Sequence, residues 1–452
     1  MASAAEQLAA NLNFGAFAKA EELKKRIWFT LAALLVYRLG TFIPIPGINP
    51  AAFAAAFNTQ SGGILGMINM FSGGAIERMA IFALNIMPYI SASIIVQLMQ
   101  SVVPSLEALK KEGEQGRKQI NQYTRYLTVA LAAFQAFGIA YGLQISQPGS
   151  SGPIVLNPGP FFLITTVVSL VGGTMFLMWL GEQITARGVG NGTSLIIMAG
   201  IVAGLPSAIM QTLELARQGV LSWGMLLLLV IVMLAVVAAI VFIERAQRRL
   251  LVQYPKRQMG NRMFQGDASH LPLKLNASGV IPPIFASSLL MLPGAAGSFL
   301  QNAGPGWDWL GNTIAYLGHG QPAWFATYVF LIVFFAFFYT SIVLNPQETA
   351  DNLRKYGGFL PGIRPGAKTA AYIDYVLTRI TVVGAIYLAA VCVLPELLQS
   401  YARVSFYFGG TSLLIAVSVT MDTVAQIQSH LLAHQYEGLI KKAKLRGATR
   451  AR

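Results

Sequence analysis

Charged residues and cysteine are both scarce in this chain. Of its 452 residues 11% are charged, and its one cysteine, Cys392, lies in an apolar run. A soluble domain carries about 25% charged residues, so the composition excludes an ordinary soluble protein. A lone cysteine excludes a disulfide framework and a cysteine-based metal site.

A nucleotide-binding motif is also absent from the sequence. No GKS or GKT tripeptide occurs, and GVGNG at 188–192 lacks the third glycine of a phosphate-binding loop, so we expect no ATP hydrolysis.

Apolar residues, by contrast, are abundant. They make up 55% of the chain, and the mean hydropathy is +0.57. Ten stretches approach the roughly 20 residues that a membrane-spanning helix needs. They lie at 24–44, 77–101, 123–145, 160–186, 192–212, 221–244, 276–296, 323–344, 374–396 and 407–431. The sequence therefore predicts an all-α polytopic membrane protein, and the basic N-terminal segment lacks the short apolar core of a cleavable signal peptide.

The basic residues are confined to alternate connections between the predicted spans. They cluster before span one, after spans two, six and eight, and in the tail at 432–452. On the other side, 146–159 carries no charge and 297–322 carries only Asp308. The positive-inside rule then places both termini in the cytoplasm. We expect a cytoplasmic segment at 1–23 and a basic cytoplasmic tail at 432–452.

Two of the cytoplasmic connections are longer than topology requires. Residues 245–275 and 345–373 each exceed the usual connection of about 4–6 residues several-fold, and both mix basic, glycine and aromatic residues. Such loops suit docking to an acidic partner such as ribosomal RNA or a motor protein. The alternative, that they only set the topology, holds for most of their single lysines.

Span two contains more polar residues than a lipid-facing helix tolerates. Asn85, Ser91, Ser93 and Gln97 follow a small-residue segment at 70–74. An unsatisfied polar group in hydrocarbon costs several kcal/mol, on the order of a lost hydrogen bond or more. The helix therefore faces other helices or lines a wet pathway.

Ionisable residues inside the spans separate a channel from a solute transporter. The candidates are Arg38, Glu182, Arg379 and Asp422, and each is nearer the end of a span than its middle. Proton- and ion-coupled transporters carry such groups near mid-span. The sequence thus favours a passive pathway, and a secondary transporter of a small solute is the alternative.

His430 and His434 are spaced i, i+4 but lack a third ligand, so we predict no metal site and no cofactor.

Nine longer motifs resemble one known family. They are FIPIPGI (42–48), NMFSGGA (69–75), IMPYISASII (86–95), KKEGEQGRKQINQYTRY (110–126), TMFLMWLGEQITARGVGNG (174–192), GIVAGLP (200–206), SHLPLK (269–274), NPQETADNLRKYGGFLPGIRPG (345–366) and FYFGGTSLLI (406–415). The chain resembles the SecY/Sec61-alpha family from about residue 24 to 445. The resemblance implies ten helices in two pseudo-symmetric five-helix halves, here 24–212 and 213–431. These halves surround an hourglass pore with a plug and a lateral gate.

The resemblance also implies a function and partners. Members form the channel that passes unfolded secretory polypeptides across the bacterial inner membrane and releases hydrophobic segments sideways into the phospholipid bilayer. The channel is passive rather than an enzyme, and its partners are the SecE and SecG subunits, the SecA ATPase, the ribosome, signal peptides and nascent membrane proteins. SecA hydrolyses the ATP.

The family's pore ring of aliphatic side chains maps onto four helices of this chain. The six positions are Ile86, Ile90, Thr193, Ile197, Ile284 and Ile415. A ring of branched apolar side chains gates small ions by dewetting. Thr193 departs from the usual isoleucine: either its hydroxyl wets the ring slightly, or it bonds a carbonyl of its own helix and changes nothing.

Three further sites follow from the resemblance. The plug falls at 66–78, with Asn69, Met70, Phe71, Ser72, Gly73 and Gly74 at its centre, and Glu77 and Arg78 pair either with each other or with SecE. The lateral gate falls on Ser91, Ser93, Gln97, Gln135, Ser287 and Ser288, for each of which static interhelical bonding is the alternative. Docking of SecA or the ribosome falls on Arg364, then on Lys256 and Arg257.

Overall fold

Helices form most of the regular structure in the described part of the chain. The computed structural model describes residues 21–60, 69, 72–145, 153–219, 222–254, 257–259, 262–264, 268–300, 321–402 and 410–449. The helices are α1 (Glu21–Gly40), α2 (Pro50–Gln60), α3 (Met87–Val102), α4 (Pro104–Lys111), α5 (Glu114–Ile145), α6 (Pro160–Arg187), α7 (Gly192–Arg217), α8 (Trp223–Arg245), α9 (Ile281–Leu300), α10 (Pro322–Val343), α11 (Pro346–Lys355), α12 (Ala367–Ala402) and α13 (Gly410–Thr449). The strands are β1 (Gln247–Gln253), β2 (Arg257–Met259), β3 (Arg262–Phe264) and β4 (Ala268–Lys274).

The predicted spans correspond to helices of this structure. Within the described ranges, seven helices are long and apolar enough to cross a membrane, namely α5, α6, α7, α8, α10, α12 and α13. The remaining three predicted spans correspond to α1, to α3 and to the apolar α9. α3 and α4 meet at a bend of 96°, so the polar, basic end of α4 departs from the direction of span two.

The chain folds as two compact units. Unit one consists of Met1–Pro206 and Val419–Arg452, and unit two of Ser207–Ser418. In unit one, α6 packs against α1, α3 and α5, and α3 packs against α5. Ala132, Ala136 and Ala140 of α5 are all fully buried in a core shared with Met79 and Leu84. Small residues four apart allow the close backbone approach that holds membrane helices together.

Span two begins as a helix ten residues later than predicted. Residues 72–86 form successive turns, and α3 starts only at Met87. Two backbone hydrogen bonds tie this stretch to the FIPIPGI motif, from Ile45 N to the Met79 carbonyl (3.0 Å) and from Ile81 N to the Ile43 carbonyl (2.9 Å). Met79 and Asn85 have positive φ (45° and 51°), which interrupts an α-helix. Asn85 was therefore wrongly placed inside the helix.

A β-hairpin is the one departure from the all-helical prediction within the described residues. β1 and β4 pair antiparallel from Gln247 opposite Lys274 to Gln253 opposite Ala268, and β2 pairs with β3 beyond them. Leu250, Val252 and Leu273 are buried while their neighbours along the strands are exposed. The described part of the long loop at 245–275 is therefore a folded element of unit two.

The other packing of unit two is helical. α10 packs against both α9 and α12, and α11 packs against α12. Gly410 starts α13 against α12, where an added Cβ would lie 2.8 Å from the Cα of Cys392. Cys392 is buried there as a free thiol.

Candidate functional site

The predicted plug segment is closed on itself by Asn69. The Asn69 carbonyl accepts hydrogen bonds from Gly74 N (2.9 Å) and Ser72 Oγ (3.0 Å), and its Oδ1 accepts one from Glu77 N (3.0 Å). Gly73 and Gly74 take positive φ of 66° and 82°, a conformation that glycine adopts without strain. Met70 and Phe71 lie outside the described residues. The described part of the segment, Asn69 and residues 72–78, thus forms compact turns that are closed by hydrogen bonds to Asn69. We call these residues the plug hairpin.

Two adjacent residues of α1 bond to this hairpin. Tyr37 donates its hydroxyl to the Ser72 carbonyl (3.3 Å), and Arg38 donates from Nη1 to the Gly73 carbonyl (2.7 Å). Gly73 also lies against α7, since an added Cβ would lie 3.2 Å from the Cα of Gly200. Sequence reasoning missed these contacts, because Tyr37 and Arg38 are more than 30 residues away in the chain and no periodicity links them to the plug.

Glu77 and Arg78 do not pair with each other among the described residues. The Arg78 guanidinium instead lies 4.2 Å from the ring centre of Phe42, and the Arg38 guanidinium lies 4.8 Å from the same ring. Arg78 Nη1 is buried and has no hydrogen-bond partner in the described part of the chain. Of the two predicted pairings, the one within the chain is therefore wrong for this structure.

The six predicted ring positions lie on four helices, two of them, Ile86 and Thr193, at the start of a helix. Ile86 caps α3 and its carbonyl accepts the Ile90 amide (3.1 Å), and both side chains are buried. Ile197 is also buried on α7, and Thr193 is half-buried at the start of that helix. These four belong to unit one. Ile284 on α9, half-buried, and Ile415 on α13, buried, belong to unit two.

The hydroxyl of Thr193 does not bond a carbonyl of its own helix. It donates to the Asn191 side-chain oxygen (2.7 Å), which also accepts the backbone amides of Thr193 (3.1 Å) and Ser194 (3.5 Å). Asn191 thus caps α7, as an asparagine before a helix commonly does. Of the two predicted alternatives, the bond to a helix carbonyl is not formed, because the hydroxyl bonds the Asn191 side chain instead. Wetting of the ring stays a prediction.

The hydrogen bonds described for the predicted gate residues stay within single helices. Gln97 Nε2 donates to Ser93 Oγ (3.3 Å) on α3, and Ser287 Oγ donates to the Ile284 carbonyl (3.0 Å) on α9. Ser91, Ser287 and Ser288 are buried, and Gln135 on α5 is half-buried. The structure brings Ser93 and Gln97 together on one face of α3, where both are half-buried.

An ion pair that the sequence did not reveal joins α5 to α6. The guanidinium of Arg125 donates to both carboxylate oxygens of Glu182, from Nη2 (2.7 Å) and from Nε (3.3 Å). Consecutive membrane spans run in opposite directions, so Arg125 near the start of one span and Glu182 near the end of the next lie at the same depth, which is the signal that could have found the pair. Both residues lie near the ends of their spans rather than at mid-span.

The two long loops of unit two are one folded surface. Gln253 at the end of β1 and Phe359 exchange two backbone hydrogen bonds, both 2.9 Å. Leu250, Val252 and Leu273 of the first loop share a core with Leu360 and with Ile373 of α12. Arg364 lies exposed on the turn that follows, and its carbonyl accepts the Thr369 hydroxyl (3.0 Å). Arg257 lies in β2, and Lys256 lies outside the described residues.

Comparison with known proteins decides the family. A profile of the SecY family matches residues 80–424. The protein translocase subunit SecY of Escherichia coli K12 is 56% identical over 426 residues, which cover 94% of this chain and 96% of that protein. The same subunit of Rickettsia felis is 55% identical over 425 residues, covering 94% and 97%. The chain belongs to the SecY family.

Solved structures carry the same fold as this SecY-family chain. A SecY channel, described by the role of its plug domain in stabilising the closed state, matches with a TM-score of 0.67 at 17% identity and covers 90% of this chain and 92% of its own. Sec61 of the canine ribosome–channel complex matches with a TM-score of 0.62 at 18% identity, with the same coverage. The predicted fold class and family are confirmed, and none of these matches supports a small-solute transporter.

Proposed function

We propose that this SecY-family chain forms the protein-conducting channel of a bacterial translocase. The observation that carries the proposal is the identity of 54–56% to protein translocase subunits over 94% of the chain. The channel passes unfolded secretory polypeptides across the inner membrane and releases hydrophobic segments laterally into lipid. Its apolar and neutral polar span residues suit a pathway for a chemically varied polypeptide, because they hold no single group tightly.

The pore ring is assigned to Ile86, Ile90, Thr193, Ile197, Ile284 and Ile415. Branched apolar side chains resist wetting by small ions yet can be displaced by a polypeptide. The plug is assigned to 66–78. Its described glycines allow a tight hairpin, and Ser72 at its centre is fully buried, as a resting seal requires.

The lateral gate is assigned to the polar residues of α3, α5 and α9, namely Ser91, Ser93, Gln97, Gln135, Ser287 and Ser288. Hydrogen bonds between membrane helices contribute only about 0.6–2 kcal/mol each. Side chains that bond within their own helix, as Gln97 does to Ser93, are free to exchange partners without leaving a polar group unsatisfied. That property suits a seam that opens and closes.

Partners dock on the cytoplasmic side of the channel. The folded surface of unit two exposes Arg364, together with Arg248 and Arg249 of β1, and a basic surface of this kind attracts acidic protein or ribosomal RNA. SecA and the ribosome use it in turn, and SecE and SecG complete the translocase. Both termini are cytoplasmic by the distribution of basic residues.

Crosslinking of a stalled secretory chain tests the channel directly. A photoreactive residue is placed singly at 86, 197, 284 and 415 in the translocase reconstituted with SecE, SecG and SecA. We expect adducts with the stalled chain from all four positions. The matched controls are Val202 on α7 and Leu289 on α9, which are exposed on the same helices as two of the ring positions, and which we expect to give no adducts.

The opposite pattern would exclude the proposal. A solute transporter gives no adducts from the ring positions while it remains folded and abundant. Adducts from the control positions as strong as those from the ring would mean that these residues do not line the pathway.

A further inference from the structure

Arg38 directs its charge at the plug hairpin. It stands near the end of α1, and its Nη1 lies 2.7 Å from the carbonyl oxygen of Gly73. Within the described residues it forms no ion pair. It also lies 4.8 Å from the ring centre of Phe42, a ring that the Arg78 guanidinium contacts as well, and 3.5 Å from the Thr41 hydroxyl. A guanidinium at the edge of a membrane span needs acceptors. The Gly73 carbonyl is its closest described one.

Tyr37 repeats the arrangement one residue earlier. Its hydroxyl donates to the carbonyl of Ser72 (3.3 Å), and the tyrosine is 1% exposed. Its ring stacks on Phe82, with ring centres 6.2 Å apart, so packing fixes the direction of the hydroxyl. Two successive donors of α1 therefore bond two successive carbonyls of the hairpin.

Gly73 also lies against α7. An added Cβ would lie 3.2 Å from the Cα of Gly200 on α7 and 3.3 Å from Arg38 Nη1. Gly73 is thus closely packed against both the guanidinium and the backbone of α7. Moving the hairpin away breaks both carbonyl bonds at once.

We propose that Tyr37 and Arg38 latch the plug in its seated position, and that loss of these two hydrogen bonds is a step in channel opening. The inference rests on the proposed function, in which residues 66–78 are the plug. The bonds are made to backbone carbonyls, so the latch does not depend on the side chains of the plug. An arginine that served only as an interfacial anchor would extend toward lipid headgroups instead.

Thiol labelling of Ser72 tests the latch. In a Cys392→Ser background, Ser72→Cys introduces one cysteine at a position that is 0% exposed, and the full translocase is reconstituted into vesicles. A membrane-impermeant maleimide is expected to label the resting protein slowly. Arg38→Met, which keeps length but removes the charge and the donors, is expected to raise the labelling rate at least tenfold, since a hydrogen bond to a charged group shifts an equilibrium by about that factor or more.

Two further variants separate the latch from a general loss of structure. Tyr37→Phe removes only a hydroxyl, and we expect a smaller rise of about threefold, as for a neutral hydrogen bond. Arg26→Gln is the matched control, because Arg26 also lies on α1 and donates to a carbonyl, that of Gly188 (3.5 Å), far from the plug. Its labelling rate is expected to equal that of the parent.

Failure of the latch and failure of the channel proposal give different results. If the parent vesicles do not translocate a secretory precursor, the channel proposal fails. If they do, and both Arg38→Met and Tyr37→Phe are labelled at the parent rate, the latch is wrong. An equal rise in the Arg26→Gln control would also overturn it, because the effect would then not depend on contact with the plug.

Discussion

At the scale of single residues, Glu182 carries the clearest polar link between two helices. Its carboxylate accepts two hydrogen bonds from Arg125, and the side chains are 35% and 40% exposed. We expect Glu182→Gln to destabilise the protein by about 1–2 kcal/mol, between the values for exposed and buried pairs, because Arg125 loses its counter-charge. A thermal melt in detergent measures this as a lower Tm.

A second ion pair provides the control for that measurement. Glu107 and Lys111 are spaced i, i+4 on α4 and are 54% and 74% exposed. Exposed pairs of this kind contribute little, so Glu107→Gln is expected to leave Tm unchanged. Equal Tm values for the two variants would show that the link between α5 and α6 does not contribute to stability.

The sequence predicted which polar side chains need a partner, but it did not predict the partners themselves. Asn191 before an apolar helix is a recognisable cap, yet neither of the two predictions for the Thr193 hydroxyl, wetting of the ring or a bond to a helix carbonyl, has Asn191 as its partner. Arg38 and Glu182 were both singled out as ionisable residues near span ends, but their partners, Gly73 and Arg125, are distant in sequence. Local spacing identifies residues that need a partner, whereas tertiary packing decides which partner they find.

At the scale of elements, the shared core of the two long loops is the feature most open to test. Leu360 is 3% exposed and packs with Leu250, Val252 and Ile373. We expect Leu360→Ala to destabilise this core by about 2–4 kcal/mol, because buried methyl groups are lost and a cavity remains. Hydrogen exchange should then be faster at the amides of Gln253 and Phe359, which bond to each other across the two loops.

The location of the effect is part of that prediction. Amides of α5 and α6 in unit one should exchange at the parent rate, since they share no core with Leu360. If both units exchange faster, the variant has unfolded the protein as a whole. If neither does, the two loops do not depend on the shared core.

Hydropathy predicted the spans well and their ends less well. The start of α3 was missed by ten residues, because backbone bonds from 43–45 hold 79–81 in turns and Pro88 stands in the first turn of the helix. The β1–β4 hairpin was not predicted, because Leu250, Leu251 and Val252 are three consecutive apolar residues and show no alternation with polar residues. The alternation appears only in the burial, since Leu250 and Val252 are buried and Leu251 is exposed.

At the scale of the whole molecule, the assignment of the channel depends on residues that local patterns do not connect. Periodicity pairs Ile86 with Ile90 and Thr193 with Ile197, but it gives no reason to join them to Ile284 or Ile415. Only resemblance to the SecY family does so, and the six positions divide between the two compact units. The fold class followed from composition, whereas the ring, plug and gate followed from long motifs.

The proposed docking of SecA and the ribosome on the cytoplasmic loops is testable at Arg364. This side chain is exposed on a turn that the shared core holds in place, so its reversal is expected to leave the loop folded. We expect Arg364→Glu to reduce SecA-driven secretion at least tenfold, because a reversed charge repels an acidic site on the motor. Ribosome-coupled insertion should fall much less, because Arg248 and Arg249 of the same surface still attract ribosomal RNA. Lys368→Glu, the reversal of another exposed basic residue four positions away, is the matched control and should affect secretion far less. Equal loss of both pathways at normal protein levels would contradict a motor-specific role for Arg364, and equal effects of the two variants would mean that net charge, rather than this position, matters for docking.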